Sequence, residues 1–234
     1  MKHLKRFSSI MMLFSLISLE AIAASNINAT DKYAWSENTG WSNFRSANSD
    51  GVTVYDDHLE GYAWAANIGW MRLGTHTSGG THNYANDSDI NYGVNNDGSG
   101  TLSGYAWSEN VGWINFDSSN GGGVTIDSSS GDFDGYAWAQ NVGWIHFKKT
   151  GSPAYKVSYD VPTISITAGT TPTEAATTGT YTVTLSQALP SGQSVTVNYN
   201  TTGSTATDSD DYSLGSTDAS VTVNASDIVM RIKS

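Results

Sequence analysis

One aromatic phrase occurs four times in the chain and constrains its fold more than any other feature. The clearest copy reads GYAWSENVGWINF from Gly104 to Phe116, and the others begin at Lys32, Gly61 and Gly135. Each copy places two tryptophans on either side of an Asn-x-Gly turn signal. A unit this small cannot bury an apolar face alone, so repeated units are expected to pack on one another. Four similar parts are therefore predicted to form one domain over residues 25–155.

Each repeat is predicted to contain three short antiparallel β-strands in a meander. A Val-Thr-Val or Val-Thr-Ile segment leads, Tyr-Ala-Trp follows, and Trp-Ile-x-Phe ends the unit, with Gly, Asn, Asp and Ser between them. β-Branched and aromatic residues favour strands, and small polar residues favour turns. Asn110, bonding its own backbone, and Gly112 suit a hairpin turn, and Gly104 suits a bulge or a close backbone approach. The first copy lacks the leading strand, which is typical of a terminal capping unit.

Two interpretations of the aromatic residues remain open. Strand alternation places Tyr105 and Trp107 on one face and Ala106 on the other, and sets Trp113 opposite Ile114. The favoured interpretation is that Trp and Tyr fill the core, because a buried aromatic ring removes roughly 150–250 Å² from water. The alternative is that one row of tryptophans is exposed and stacks on the sugar rings of a carbohydrate. Under this alternative the ligand-binding residues are Trp41, Trp70, Trp113 and Trp144.

The N-terminus has the features of a secretory signal peptide over residues 1–23. Basic residues precede the apolar segment Phe7–Leu19, which is followed by a small-x-small cleavage signal at Ala21–Ala23. The apolar segment is too short to span a bilayer, and no later stretch is apolar enough to do so. We therefore expect an exported protein, extracellular, periplasmic or on the cell surface, with no transmembrane segment in the mature chain.

Composition excludes several classes of function. The net charge is −11, which disfavours nucleic acid and anionic lipid as partners, and the absence of cysteine excludes disulfides and thiolate metal sites. His76 and His82 lie in a polar insertion between the second and third repeats, but no third ligand follows at a recognised metal spacing. Asp57 and Glu60 are interpreted as part of an acidic turn. Since no catalytic constellation is found, the chain is predicted not to be an enzyme.

The C-terminal segment, 162–234, has a different composition. It contains none of the eight tryptophans, and its Thr-, Ser- and Val-rich runs alternate between polar and apolar residues, which predicts an antiparallel sandwich. The order PTISI, a glutamate, TYTVTLS, SVTVNY and then TAT with an Asp-Tyr pair resembles the Calx-beta domain over residues 162–223. The resemblance implies an Ig-like β-sandwich, and we expect it to be incomplete because NASDIVMRIKS does not continue the alternation.

The same resemblance implies a calcium site. Glu174 and Asp211 match acidic positions of the family, and Asp208 and Asp210 lie beside Asp211. Calcium takes six to eight oxygen ligands, so carboxylates on loops suit it, although solvated loop acids are the alternative. The sequence as a whole predicts an all-β, exported, non-enzymatic modular protein that mediates adhesion to a surface or matrix component, protein or polysaccharide. Carbohydrate binding by the exposed tryptophans is the alternative function.

Overall fold

The computed structural model describes residues 25–46, 51–117, 122–168, 180–200, 218–224 and 229–233. Within these ranges the regular elements are antiparallel β-strands and no helix occurs, which confirms the all-β prediction. Accordingly, the described residues contain no apolar helix of membrane-spanning length. The strands of the large sheet are β1 (Ile27–Ser36), β2 (Gly40–Asn43), β3 (Val52–Val54), β4 (Leu59–Ala65), β5 (Gly69–Arg72), β6 (Val94–Asn96), β7 (Leu102–Ser108), β8 (Gly112–Asn115), β9 (Gly123–Ile126), β10 (Phe133–Ala139), β11 (Gly143–His146), β12 (Lys148–Lys149) and β13 (Tyr155–Tyr159). The remaining strands are β14 (Ile164–Ala168), β15 (Thr180–Leu185), β16 (Ser194–Asn200), β17 (Asp218–Asn224) and β18 (Val229–Lys233).

The four aromatic phrases form four hairpins that close into a barrel-like sheet. Hairpin 1 is β1–β2, hairpin 2 is β4–β5, hairpin 3 is β7–β8 and hairpin 4 is β10–β11, and each pairs with the next. The ring closes where β1 pairs with β11, with Trp35 opposite His146. An eight-stranded closed sheet has an interior just wide enough for side chains to fill. The repeats are therefore joined in a circle, and not in an open meander.

The prediction that the first copy is a terminal cap is wrong, because a closed ring has no terminal unit. In hairpins 2, 3 and 4 the leading strands β3, β6 and β9 pair with the N-terminal halves of β4, β7 and β10, respectively. β13 takes this place beside β1. Val157 lies opposite Lys32, just as Val52 lies opposite Gly61 in the second copy. The strand that the first copy lacks is thus supplied from the other end of the ring.

Alanines and larger apolar side chains fill the interior of the ring. The residues between Tyr and Trp in the first strand of each hairpin are buried alanines, and the second strands contribute a row of larger apolar residues at their ends. These inward residues are Ala34, Ala63, Ala106 and Ala137, with Phe44, Leu73, Phe116 and Phe147. The cavity among them measures only about 10 Å³, too little for more than one water. Among the described residues the ring therefore encloses a packed core with no channel.

The asparagines of the turns join the four hairpins at one end of the ring. Asn67 Nδ2 donates to Thr39 O (3.0 Å), Asn110 Nδ2 to Ile68 O (3.0 Å) and Asn141 Nδ2 to Val111 O (3.1 Å). Asn38 Nδ2 completes the circle through Val142 O at 2.8 Å. The prediction that Asn110 bonds its own backbone is corrected here: its amide reaches the preceding hairpin. The Asn-x-Gly signal therefore encodes contacts between repeats.

Glycines at two positions of the third repeat have the predicted roles. Gly112 has φ +80° in the hairpin turn, a conformation that side chains with Cβ rarely adopt. Gly104 has φ +85°, and a Cβ there would lie 2.3 Å from Gly93 O. Both positions are therefore restricted to glycine, and the expected close backbone approach at Gly104 is confirmed.

The C-terminal strands form two small sheets with a separate apolar cluster. β14, β15 and β18 make one sheet, and β16 and β17 make the other. Val183 and Leu185 of β15 are buried with Leu189, and Val195 and Val197 of β16 pack against them. The two sheets therefore share an apolar contact.

A network of charges holds β13 and β12 to hairpin 4. Asp132 is buried, with Oδ1 2.7 Å from Lys156 Nζ and Oδ2 3.1 Å from Lys148 Nζ. Lys156 Nζ also lies 3.4 Å from Asp31 Oδ2, in β1 of hairpin 1. Burial by itself raises the pKa of Asp132, but hydrogen bonds from Lys156 and Lys148 outweigh it and hold the pKa below its ordinary 3.8. The network bridges the seam at which the ring closes.

The circle of asparagine hydrogen bonds predicts a measurable loss of stability on substitution. Asn110→Ala removes one bond and leaves Ile68 O with one donor fewer, so the free energy of unfolding should fall by about 1 kcal/mol. Urea unfolding followed by tryptophan fluorescence measures this change. Asn83→Ala, at an exposed asparagine of the insertion, is the matched control and should change little. Equal effects of the two substitutions would contradict the role of the circle.

Asp132 predicts a pH-dependent contribution to closure. Because its folded pKa is depressed, the carboxylate stabilises the fold fully above pH 3.8, and this contribution is lost as the pH falls through the lower folded pKa. Asp132→Asn should therefore be less stable than the wild type at pH 6 by about 1–3 kcal/mol, with the difference shrinking towards pH 2. Urea titrations at several pH values measure it. Asp134→Asn, at an exposed neighbour, is the matched control and should change the free energy of unfolding little.

Candidate functional site

The tryptophans lie on the outer face of the ring, so the prediction that Trp and Tyr fill the core is wrong. The candidate ligand-binding residues Trp41, Trp70, Trp113 and Trp144 are 45%, 49%, 43% and 41% exposed. Their exposure follows from alternation, because the alanines and large apolar residues of the same strands occupy the narrow interior. The outer face also carries Tyr33, Tyr62, Tyr105 and Tyr136, which are 37–41% exposed.

Each hairpin presents its aromatic residues as a fixed ladder of three rings. The two tryptophans face each other directly across the strands, as Trp107 and Trp113 do. Their rings meet edge to face, with centroids 4.6–4.9 Å apart and planes at 63–65° in all four hairpins. The ring centroid of a tyrosine on the first strand, such as Tyr105, lies 6.0–6.1 Å from that of the second-strand tryptophan. Such contacts contribute about 0.5–1.5 kcal/mol per pair and hold the indoles in place without burying them.

The four ladders differ in what lies beside them. Tyr92 of the insertion packs on Trp113 at 4.9 Å, and Tyr155 of β13 packs on Trp41 at 5.1 Å. Trp70 is the most exposed of the four second-strand tryptophans. Among the described residues, its only ring contacts are with the other two members of its own ladder. The ladders are thus equivalent in their hairpins and distinct in their surroundings.

A groove of about 660 Å³ runs along the closure seam, between hairpins 1 and 4. Tyr136 stacks on His146 at 4.2 Å, and His146 Nδ1 lies 2.8 Å from the Tyr155 hydroxyl. Burial lowers the pKa of His146 and raises that of Tyr155. The groove combines rings from two ladders with polar and charged groups, and its lining includes Trp35, Trp41, Trp144, Glu37, Asn38 and Lys149.

A histidine cluster lies at the start of β4, at the end of hairpin 2 that is opposite its turn. His58 is fully buried, with Nδ1 2.6 Å from Asp57 Oδ1 and Nε2 3.1 Å from Glu60 Oε1. His76 Nε2 lies 3.7 Å from the same Glu60 oxygen, and the ring of His82 stacks on that of His76 at 4.0 Å. The donor atoms of His58, Glu60 and His76 all lie within 4.8 Å of one another. The cluster therefore has the composition of a metal-binding triad.

The cluster also attaches the polar insertion to β4. Glu60 Oε1 accepts from Gly79 N–H at 3.0 Å, and Asp57 Oδ2 accepts from His82 N–H at 2.9 Å. Burial alone lowers the pKa of His58, but hydrogen bonds to Glu60 and Asp57 outweigh it and raise the pKa above 6.5. Burial alone raises the pKa of Glu60, but His58 and the Gly79 N–H outweigh it and lower the pKa below 4.5. The two carboxylates therefore favour positive charge between them.

Sequence reasoning placed His76 and His82 together but missed their partners. The third and fourth members come from the start of β4, where the His-Leu-Glu spacing directs His58 and Glu60 to one side. That alternation was the available signal. The predicted calcium ligands Glu174, Asp208, Asp210 and Asp211 lie outside the described residues.

Comparison with known proteins does not identify a family or a function for the chain. No protein-family model matches the chain, and neither a curated protein nor a solved structure is significantly similar to it. The aromatic ladders, the groove at the seam and the histidine cluster are therefore the features from which a function is inferred.

Proposed function

We propose that the chain is an exported, non-enzymatic protein that adheres to a neutral polysaccharide of a surface or matrix through its outer tryptophans. The observation that carries this proposal is the repeated exposure of one indole per hairpin, 41–49% in all four. An isolated exposed aromatic residue is ordinary. Four equivalent tryptophans on the solvent-exposed face make an extensive apolar surface suited to a partner. The expectations of export and adhesion from the sequence agree with such a role.

Sugar rings suit these ladders chemically. One face of many pyranose rings is lined by C–H bonds, which lose contact with water when they stack on a flat indole. The edge-to-face contact between Trp138 and Trp144 holds the indoles before any ligand arrives, so little side-chain entropy is lost on binding. The ladders thus offer preorganised apolar platforms.

The charge of the chain selects among polysaccharides. A net charge of −11 repels acidic polymers, as it repels nucleic acid. A neutral polymer avoids this repulsion, and a long one offers many equivalent segments to the four ladders. Simultaneous contacts raise the effective concentration of each further segment, so weak individual sites give firm attachment.

The groove at the closure seam is the strongest single binding position in this proposal. Ligand sites combine apolar walls with a few polar groups that orient the ligand. Here Trp41 and Trp144 supply rings from two hairpins, and Glu37 and Lys149 supply a carboxylate and an amine for hydroxyl groups. The other ladders face outward at other positions around the ring and are available to other chains of the same polysaccharide.

The C-terminal strands complete the proposed modular organisation. We propose that residues 162–234 form an Ig-like sandwich of the Calx-beta type that binds calcium through Glu174, Asp208, Asp210 and Asp211. The apolar contact of Val183 and Leu185 with Val195 and Val197 supports two packed sheets. The family resemblance supports the calcium ligands.

Substitution of one tryptophan in the groove tests the adhesion proposal. Trp144→Ala should weaken binding to a neutral polysaccharide about tenfold or more, as loss of a central aromatic contact does. Trp70→Ala is the matched control, since it loses the same edge-to-face contact but lies outside the groove, and it should weaken binding less. Depletion from solution by a panel of insoluble neutral polysaccharides measures the affinity, and circular dichroism verifies the fold.

Two results would contradict the adhesion proposal. One is the absence of wild-type binding to every neutral polysaccharide of the panel. The other is an unchanged affinity of Trp144→Ala, which would show that the polysaccharide does not bind in the groove.

Calcium titration tests the proposed C-terminal site separately. Millimolar calcium should raise the Tm of the chain, because an ion that binds only the folded state stabilises it. Asp211→Asn should abolish the rise, since the ion loses a charged oxygen ligand. Differential scanning calorimetry measures it, and an unchanged wild-type Tm would count against the site.

A further inference from the structure

We propose that His58, Glu60 and His76 bind one divalent transition-metal ion of the Zn²⁺ type, which fastens the polar insertion to β4. This site is independent of the outer tryptophans and of the C-terminal carboxylates. Two imidazoles and one carboxylate form a ligand set that zinc proteins use, with a solvent molecule in the fourth position.

The distances suit a tetrahedral ion. Bonds of about 2.0–2.1 Å to nitrogen and oxygen place neighbouring ligand atoms of a tetrahedron roughly 3.3 Å apart. Glu60 Oε1 lies 3.1 Å from His58 Nε2 and 3.7 Å from His76 Nε2. All three donor atoms lie within 4.8 Å of one another, so small side-chain rotations are enough to centre an ion between them.

Asp57 prepares His58 as a ligand. Its Oδ1 lies 2.6 Å from His58 Nδ1, so in the metal-bound form the ring proton stays on Nδ1 and the lone pair of Nε2 is available to the ion. Metal-binding histidines commonly donate their other ring N–H to a carboxylate, which fixes the tautomer and orientation. Asp57 thus acts as a positioning residue for the metal ligand.

The charge balance of the cluster also favours a dication. Asp57 and Glu60 bring two carboxylates to a buried imidazole, and no described lysine or arginine forms an ion pair with either of them. Buried charges are costly unless they are paired. An ion of charge +2 neutralises both carboxylates.

Coordination by His76 requires one exchange of contacts. His76 Nε2 lies 3.0 Å from Gly79 O, so the proton of this ring must move to Nδ1 when Nε2 binds the ion. Glu60 Oε1 keeps its hydrogen bond from Gly79 N–H, which holds the loop in position. The side chain of His76 is 25% exposed, and this opening gives the ion and its solvent ligand access.

Ligand chemistry identifies the class of metal. Calcium and magnesium take oxygen ligands, whereas imidazole suits zinc, copper, nickel and iron. An ion at this site joins β4 to the insertion and stabilises the folded chain in proportion to its binding. The consequence is a metal-dependent attachment of the insertion that carries Tyr92 beside Trp113.

Zinc binding to the full chain, purified without a histidine tag and treated with chelator, tests the proposal. Isothermal titration should show one saturable Zn²⁺ per chain, weakened by acid because protons compete for the ligands. A hundredfold excess of Zn²⁺ over Kd should raise the Tm by about 5 °C or more. An equal concentration of Ca²⁺ should leave the zinc affinity unchanged.

Variants identify the ligands. His76→Ala and Glu60→Gln should each weaken Zn²⁺ binding by about tenfold or more, whereas His146→Ala, which removes a histidine of the groove, should not. His76 is the safest test because it is partly exposed, and circular dichroism confirms that each variant folds. No saturable zinc binding by the wild type, or equal affinities of His76→Ala and His146→Ala, would overturn the proposal.

Discussion

Closure of the sheet between β1 and β11 is the constraint on which the architecture of the repeats depends. A closed sheet of eight strands has a narrow interior, which the alanines of the first strands and the larger apolar residues of the second strands fill. Ala106 and its equivalents lie inside, and the indoles of the same strands are left outside. Closure also brings the four hairpin turns into a circle, where Asn38 reaches Val142 across the seam. β13 then finds a free edge beside β1, and its lysines meet Asp132.

The outer aromatic residues have a structural and a proposed functional part that are compatible. The tryptophan pairs stabilise their hairpins by contacts with each other, and these contacts still leave 41–49% of each second-strand tryptophan exposed to solvent. Packing and exposure were competing interpretations of the sequence. In the closed barrel both interpretations hold for different faces of the same indoles. The indoles pack on each other along the outer surface and do not enter the core.

Much of the local structure follows from the sequence, and the global arrangement does not. Alternation correctly grouped Tyr105 with Trp107 and separated both from Ala106, and the turn chemistry correctly required Gly112. Alternation has no information about which face is inside, since that depends on how far the sheet curves before it closes. The partner of Asn110 and the completion of the first repeat by β13 are likewise long-range outcomes. The histidine cluster was predictable only in part. The sequence groups His76 and His82 in the insertion, but folding alone brings them to His58 and Glu60 at the start of β4.

The circle of four also limits how such a chain can vary. In a row of stacked units, one more or one fewer copy leaves the others as they are. Here a gain or loss of one copy changes the number of strands around the core, and the layers formed by Phe44, Leu73, Phe116 and Phe147 would no longer fit. Copy number is thus set by core geometry, and new length enters most easily between copies. The insertion between β5 and β6, which contributes His76 and His82, is such an addition.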